Sequence, residues 1–166
     1  MQFSDVVIKR RSIRRYKATP VPLENVLKIL EVARTAPSAS NRQPWHYVVV
    51  RDEATRKKVT GTQTWAAGAP VVIVAMGDKE FSSKWWRNDV GISFEHVMLA
   101  ATDLGLGTCW MGSYARDEEI RGILGVPDKW NVAAITPLGY PDEDPPTKPR
   151  KPLDEMVSWD KFGGKR

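Results

Sequence analysis

The stretch Pro70-Val71-Val72-Ile73-Val74-Ala75-Met76 decides the fold class. It has no polar residue to place on a solvent face, which is typical of a strand buried on both sides. Such a strand needs helices above and below its sheet, and the chain supplies helical patterns both before and after it. We therefore expect an α+β domain with a sheet covered by helices.

Hydrophobic periodicity and turn residues place the other elements. Further strands are expected at residues 47–50, 108–111 and 132–138. Helices are expected near residues 6–8, 23–35, 53–59, 88–104 and 117–124. Ser4 is expected to cap the first helix. The second helix has an apolar face of Leu23, Val26, Leu27, Leu30 and Ala33.

Composition bounds the class of protein. The chain has 166 residues, 42% of them hydrophobic and 27% charged, which suits one ordered domain over residues 1–166. We expect no membrane span, because no apolar run approaches about 18 residues, and no signal peptide. The single Cys109 excludes an internal disulfide framework and favours the cytoplasm.

The net charge of +5 permits an anionic partner. The positive charge is concentrated at residues 9–17 and from Lys148 onward, which suits one anion bound from both sides. A solvated charge run or a nucleic-acid-binding module is the alternative. Nucleic acid is disfavoured, because the chain shows no recognised nucleic-acid motif and its aromatic residues are not interleaved with the basic runs.

Three segments could bind a ligand. Arg10, Arg11, Ser12 and Arg14 offer guanidinium and hydroxyl donors that suit a phosphate group. The loop 36–45 presents polar side chains between two prolines, although it could equally satisfy its own backbone through local turns. The Gly112-Ser113 turn lets a flat ligand approach the backbone closely. Near the other terminus, a proline-rich arm at about 141–166 is expected to be extended.

Six segments in this order resemble the FMN-dependent nitroreductase family, in a short-chain form. They are RRSIRRY (10–16), APSASNRQPW (36–45), APVVIV (69–74), GLGTCWMG (105–112), LGYP (138–141) and KPRKPLDE (148–155). The resemblance covers residues 3–157, nearly the whole chain. It implies a homodimer of α+β subunits, each with a central, mostly antiparallel sheet flanked by helices, and FMN at the dimer interface.

The resemblance also assigns roles by position. The residues that match the phosphate and pyrimidine contacts are Arg10, Arg11, Ser12 and Arg14, joined by Lys148 and Arg150 from the arm. The residues that match the loop contributed by the partner subunit are Pro37, Ser38, Ala39 and Asn41. Gly112 and Ser113 match the backbone that meets the flavin near N5.

The implied activity is ping-pong hydride transfer from NADH or NADPH through flavin N5 to a flat, electron-poor acceptor such as a nitroaromatic or a quinone. Arg14 is the candidate to stabilise negative charge on the reduced ring. A flavin-binding storage or sensor protein with little turnover is the alternative. The sequence does not distinguish the two nicotinamide donors.

Some residues depart from the pattern or invite a second role. Larger family members place an asparagine at the pyrimidine edge, and Gln63 is the nearest polar candidate here. Trp85-Trp86 could form a substrate lid or lie in the core or an interface. His46 and His96 lack a cysteine or acidic cluster beside them, so we expect no metal site.

Overall fold

The apolar run at 70–76 lies at the heart of an antiparallel sheet. The structure is a computed structural model, and it describes residues 2–166. The strands are β1 (Trp45–Val50), β2 (Val71–Asp78), β3 (Gly107–Thr108), β4 (Met111–Gly112) and β5 (Trp130–Gly139). The helices are α1 (Phe3–Lys9), α2 (Leu23–Arg34), α3 (Glu53–Thr60), α4 (Thr64–Ala67), α5 (Trp86–Asp103) and α6 (Asp117–Leu124).

The sheet has the order β1-β2-β5-β3, with β4 also paired to β5, and its strand pairs are antiparallel. Every residue of β2 is buried. Ile73 and Ala75 face a core formed with α2 and α5, whereas Val72 and Val74 face a second core that includes Ile120 of α6. The prediction of an α+β sheet covered on both faces is therefore confirmed.

The helix predictions hold in position but not in every detail. The helix α6 spans the predicted residues, and α4 was missed because four residues are too short to show a periodicity. The capping role of Ser4 is wrong, because α1 begins at Phe3 and places Ser4 inside its first turn.

The predicted apolar face of α2 is also partly wrong. This helix packs on α5 through Val26, Ile29 and Ala33, which recur at helical spacing and are fully buried. Leu23 and Leu27 instead lie on the surface, with 54% and 57% of their area exposed. The protein therefore leaves an apolar strip of α2 uncovered.

The predicted strand at 108–111 is in fact two short strands separated by Cys109 and Trp110. The break lies beside Pro137 of β5, which has no N–H to offer a neighbouring strand. The hydroxyl of Thr136 instead accepts the Cys109 N–H at 3.0 Å and donates to the Pro137 carbonyl at 2.9 Å. The hydroxyl thus bridges the Cys109 N–H and the Pro137 carbonyl where the two strands do not pair directly.

The segment that follows α1 is extended and lies along the edge of the sheet. Its Ile13 N–H donates to the Thr108 carbonyl at 2.9 Å, and its Lys17 N–H donates to the Tyr140 carbonyl at 2.9 Å. These bonds place residues 10–17 beside the start of the arm, which runs from 141 to 166. The arm is largely exposed, and its regular structure is limited to one 3-10 turn at Leu153–Glu155. Within residues 2–166, no helix is long and apolar enough to cross a membrane.

Candidate functional site

The two basic parts of the chain meet in a small cavity of about 120 Å3. Residues 145–147 of the arm form one wall. The predicted phosphate contacts form the rest, and they are Arg10, Arg11, Ser12, Arg14, Lys148 and Arg150. We call this cavity the basic pocket. Because its lining carries five cationic side chains and no carboxylate, it suits a compact, doubly charged anion such as a phosphate group.

Arg11 joins the two walls of the basic pocket. Its guanidinium donates to the Arg10 carbonyl at 2.8 Å and to the Ile8 carbonyl at the end of α1. It also donates to the Thr147 hydroxyl in the arm. A rigid, planar cation held at several points presents its remaining donors in a fixed direction.

Glu143 ties the arm to the basic segment just outside the basic pocket. Its carboxylate accepts the backbone N–H groups of Arg14 and Arg15, the latter at 3.2 Å, and lies 3.4 Å from the Arg15 guanidinium. The hydrogen bond from the Arg14 N–H is the main reason that the pKa of Glu143 lies below its ordinary value. The sequence analysis missed this residue, since no local pattern links position 143 to position 14.

Arg14 leads away from the basic pocket toward α4. Its guanidinium carbon lies 5.9 Å from the centre of the Trp65 ring, within the range of a cation–π contact. The Trp65 indole N–H in turn donates to the Gln63 side-chain oxygen at 2.8 Å. Gln63, the suggested pyrimidine-edge residue, is therefore linked to Arg14 through the Trp65 side chain.

Cys109 lies behind Ser12 and is buried, as expected for a core thiol. Burial raises the pKa of the Cys109 thiol above its ordinary value, although the nearby Arg14 and the Ser12 hydroxyl act in the opposite direction. The group is therefore a neutral thiol near neutral pH and a poor nucleophile.

The loop 36–45, here called the polar loop, is held in an uncommon backbone conformation. Ser40, Asn41 and Gln43 have positive φ angles of 51°, 53° and 49°. The Ser38 hydroxyl accepts the Gln43 N–H at 2.9 Å, and the Asn41 side-chain oxygen accepts the Gln43 amide at 3.1 Å. These bonds agree with the alternative that the loop hydrogen-bonds its own backbone through local turns. Pro37 and Asn41 nevertheless remain exposed to solvent.

An acidic residue that the sequence analysis did not select also fixes this loop. Asp89, in the first turns of α5, accepts the Ala39 N–H through Oδ1 at 3.1 Å. A buried carboxylate fifty residues from its partner gives no signal in a single sequence.

The Gly112-Ser113 turn lies at the end of β4. Gly112 is exposed, and a β-carbon placed there would meet no atom within 4 Å. The backbone is thus open to a flat ligand at this point. Ser113 is buried, and its hydroxyl donates to the Met111 carbonyl at 3.3 Å.

Within one chain, these parts do not form one continuous lining. Among the residues that the structure describes, the wall of the basic pocket includes neither the polar loop nor the Gly112-Ser113 turn. The resemblance assigns the polar loop, but not the Gly112-Ser113 turn, to the site of a partner subunit.

The suggested lid is wrong for Trp86. That side chain is buried against Gly77 of β2, where an added β-carbon would lie 2.3 Å from the indole ring. Trp85 is 43% exposed, with the Lys84 ammonium 5.0 Å from its ring centre. Over residues 2–166, no group of three or more histidine, cysteine or acidic side chains is arranged to hold a metal ion.

These features define a class: an α+β protein with an antiparallel sheet covered on both faces by helices and a basic pocket at the sheet edge. A family model described as "Nitroreductase family" matches residues 7–61 and 57–140. The chain belongs to the nitroreductase family. It is an oxidoreductase, as the names of its relatives indicate.

Two relatives support the assignment at the level of sequence. An Archaeoglobus fulgidus protein named "Putative NADH dehydrogenase/NAD(P)H nitroreductase" is 37% identical over 148 residues, which cover 84% of this chain and 85% of that protein. A Thermus thermophilus protein named "NADH dehydrogenase" is 32% identical over 191 residues, with coverage of 92% and 93%.

A solved structure supports it at the level of fold. The "FMN-dependent Nitroreductase" of Clostridium difficile R20291 superposes with a TM-score of 0.86 at 33% identity. The match covers 96% of this chain and 99% of that one. The likeness therefore extends over the whole sheet and both helical layers.

Proposed function

We propose that the protein is an FMN-dependent NAD(P)H oxidoreductase that reduces flat, electron-poor acceptors such as nitroaromatics or quinones. The observation that carries the proposal is the basic pocket, where two distant basic segments meet around a space of phosphate size. The similar Clostridium difficile protein is named for FMN, and FMN ends in a phosphate group.

The residues of the basic pocket fit the phosphate end of FMN. Arg10, Arg11 and the Ser12 hydroxyl would bind it from one side, and Lys148 and Arg150 from the other. Arg14 lies at the border of the pocket, where its fixed positive charge would favour the more negative redox state of a bound ring. FMN, when bound, would supply the two-electron chemistry, taking hydride from NAD(P)H and passing it to the acceptor in a ping-pong cycle.

We further propose that the working unit is a homodimer. The exposed apolar side chains Phe3, Ile8, Leu23 and Leu27 lie on α1 and α2. A groove of about 870 Å3 between α1, α2 and α5 carries a further apolar lining. A second copy covering this face would remove it from water and bring its polar loop toward the basic pocket.

The visible absorption spectrum of the purified protein, with mass identification of the small molecule released on denaturation, tests the cofactor. A flavin spectrum with FMN released supports the proposal. A colourless protein that also fails to take up added FMN contradicts it.

Steady-state NAD(P)H consumption with a quinone and with a nitroarene tests the activity. Turnover with either acceptor supports the oxidoreductase. Bound FMN that NAD(P)H does not reduce would instead support the storage or sensor alternative.

A further inference from the structure

One buried face of α5 contacts the chain before, within and after the polar loop. The Ser93 hydroxyl donates to the Ala33 carbonyl at 2.8 Å, near the end of α2, and lies 2.6 Å from the Tyr47 hydroxyl in β1. Burial raises the pKa of Tyr47 to about 12, so its hydroxyl stays neutral over the ordinary pH range. Asp89, one helical turn before Ser93, accepts the Ala39 N–H.

We propose that Asp89 is a positioning residue that holds the polar loop in the conformation needed to bind FMN, with Ser93 fixing the segments on either side of the loop. This inference rests on the proposed function. Asp89 itself would not touch FMN; it would act through Ala39 on the neighbouring Ser38 and Asn41.

The energetics of Asp89 favour this role over one in stability. Its side chain is 4% exposed, and among the described residues its Oδ2 atom has no hydrogen-bond partner. A buried carboxylate with a single neutral donor is a poor stabiliser of a fold, because its lost hydration is only partly replaced. A buried carboxylate with an unpaired oxygen therefore needs an explanation other than stability.

The polar loop also needs an anchor. Positive φ angles at Ser40, Asn41 and Gln43 are uncommon for residues other than glycine, and each costs of order 1 kcal/mol or more. Such a conformation persists only where the surroundings fix it. Asp89 supplies a bond from the buried helix α5 to the loop, at the residue just before this strained stretch.

Asp117 offers a matched control. Its carboxylate also accepts a backbone N–H from a distant segment, that of Val132 at 2.6 Å, but it joins α6 to β5. Replacing either aspartate with alanine removes such a backbone bond, and Asp117→Ala also removes a bond to the Asn131 amide and an ion pair with Arg121. Only Asp89 lies against the polar loop.

The experiment compares the FMN dissociation constants of the wild type, Asp89→Ala, Asp89→Asn and Asp117→Ala, measured by flavin fluorescence. We expect Asp89→Ala to weaken FMN binding by at least about tenfold. Asp89→Asn keeps an oxygen for the Ala39 N–H and should restore most of the affinity. Asp117→Ala should lose stability in urea unfolding but keep its FMN affinity.

Hydrogen exchange at the Ala39 amide gives a readout that needs no flavin. We expect faster exchange in Asp89→Ala than in the wild type, with Asp117→Ala unchanged at this position. Should Asp89→Ala fail to fold, Ala39→Pro removes the donor instead. Ser38 already has the extended backbone that a residue before proline prefers.

The outcomes separate the two proposals. A wild-type protein that binds no FMN contradicts the proposed function. The positioning role is overturned if Asp89→Ala binds FMN as tightly as the wild type does. It is also overturned if Asp89→Asn binds FMN as weakly as Asp89→Ala does. Either result leaves the proposed function intact.

Discussion

At the scale of single residues, Arg11 is the cation that the structure holds most firmly in the basic pocket. It bonds two backbone carbonyls and the Thr147 hydroxyl, whereas Lys148 and Arg150 project from an exposed arm. Because its side chain is already ordered, it loses little conformational entropy when a phosphate binds. We therefore expect Arg11 to contribute more to affinity than its neighbours in the arm.

Arg11→Ala should weaken FMN binding by about 1.5–3 kcal/mol, or roughly tenfold to a hundredfold. Flavin fluorescence titration measures this change. Arg51→Ala, which removes an exposed arginine on the turn after β1, is the matched control and should leave affinity unchanged. Equal losses in both variants would mean that only the overall charge matters.

At the scale of elements, the interruption between β3 and β4 depends on one hydroxyl. The Thr136 hydroxyl accepts the Cys109 N–H and donates to the Pro137 carbonyl. This arrangement brings β4 back to the sheet at Met111 and so fixes where the Gly112-Ser113 turn lies. A buried side chain thus determines the position of part of the candidate site.

Thr136→Val should destabilise the protein by about 1–3 kcal/mol, because the Cys109 N–H would be buried without a partner. Urea unfolding measures the loss. Thr102→Val is the control: the Thr102 hydroxyl bonds the Met98 carbonyl inside α5, which the helix ladder already satisfies. A larger loss in the control than in Thr136→Val would argue against this account.

The arm is tied to the basic segment through Glu143, and that tie should depend on pH. The pKa of Glu143 is lowered in the folded protein, so its stabilisation is complete above the ordinary glutamate pKa and is lost as pH falls through the folded value. The free energy of unfolding should therefore fall more steeply between about pH 6 and about pH 3 in the wild type than in Glu143→Gln. Parallel curves for the two proteins would exclude the tie.

At the scale of the whole molecule, the parts of the proposed FMN site lie apart within one chain. The basic pocket lies at one edge of the sheet, the polar loop contributes nothing to its wall, and an apolar face on α1 and α2 lies uncovered. A twofold dimer would resolve all of these features at once, since each copy would complete the site of the other.

A mixture of two defective variants tests this shared site. Arg11→Ala damages the basic pocket, and Asp89→Ala damages the polar loop. At an FMN concentration that saturates the wild type but not the variants, neither variant homodimer should bind FMN. After subunit exchange at equal amounts, about one quarter of the sites should combine an intact pocket with an intact loop and recover binding. No recovery, with exchange verified by mass, would place the whole site within one chain.

The sequence by itself determined the class of fold and the residues of the basic pocket. The apolar run at 71–76 of β2 and the limits of α6 follow from local pattern, because burial on two faces and helix termination each leave a signal within a few residues. The cationic lining of the basic pocket was also visible as a candidate, because guanidinium groups clustered around a serine offer the donors that an anion needs.

Only the tertiary structure decided which face of α2 is buried, where the strand at 108–111 breaks, and that Trp86 belongs to the core. Glu143 and Asp89 likewise became visible only there, through bonds to backbone groups far away in sequence. The physical reason is the same in each case. A hydrogen bond or a packing contact between distant segments depends on how they meet in space, and a single sequence carries no record of that meeting.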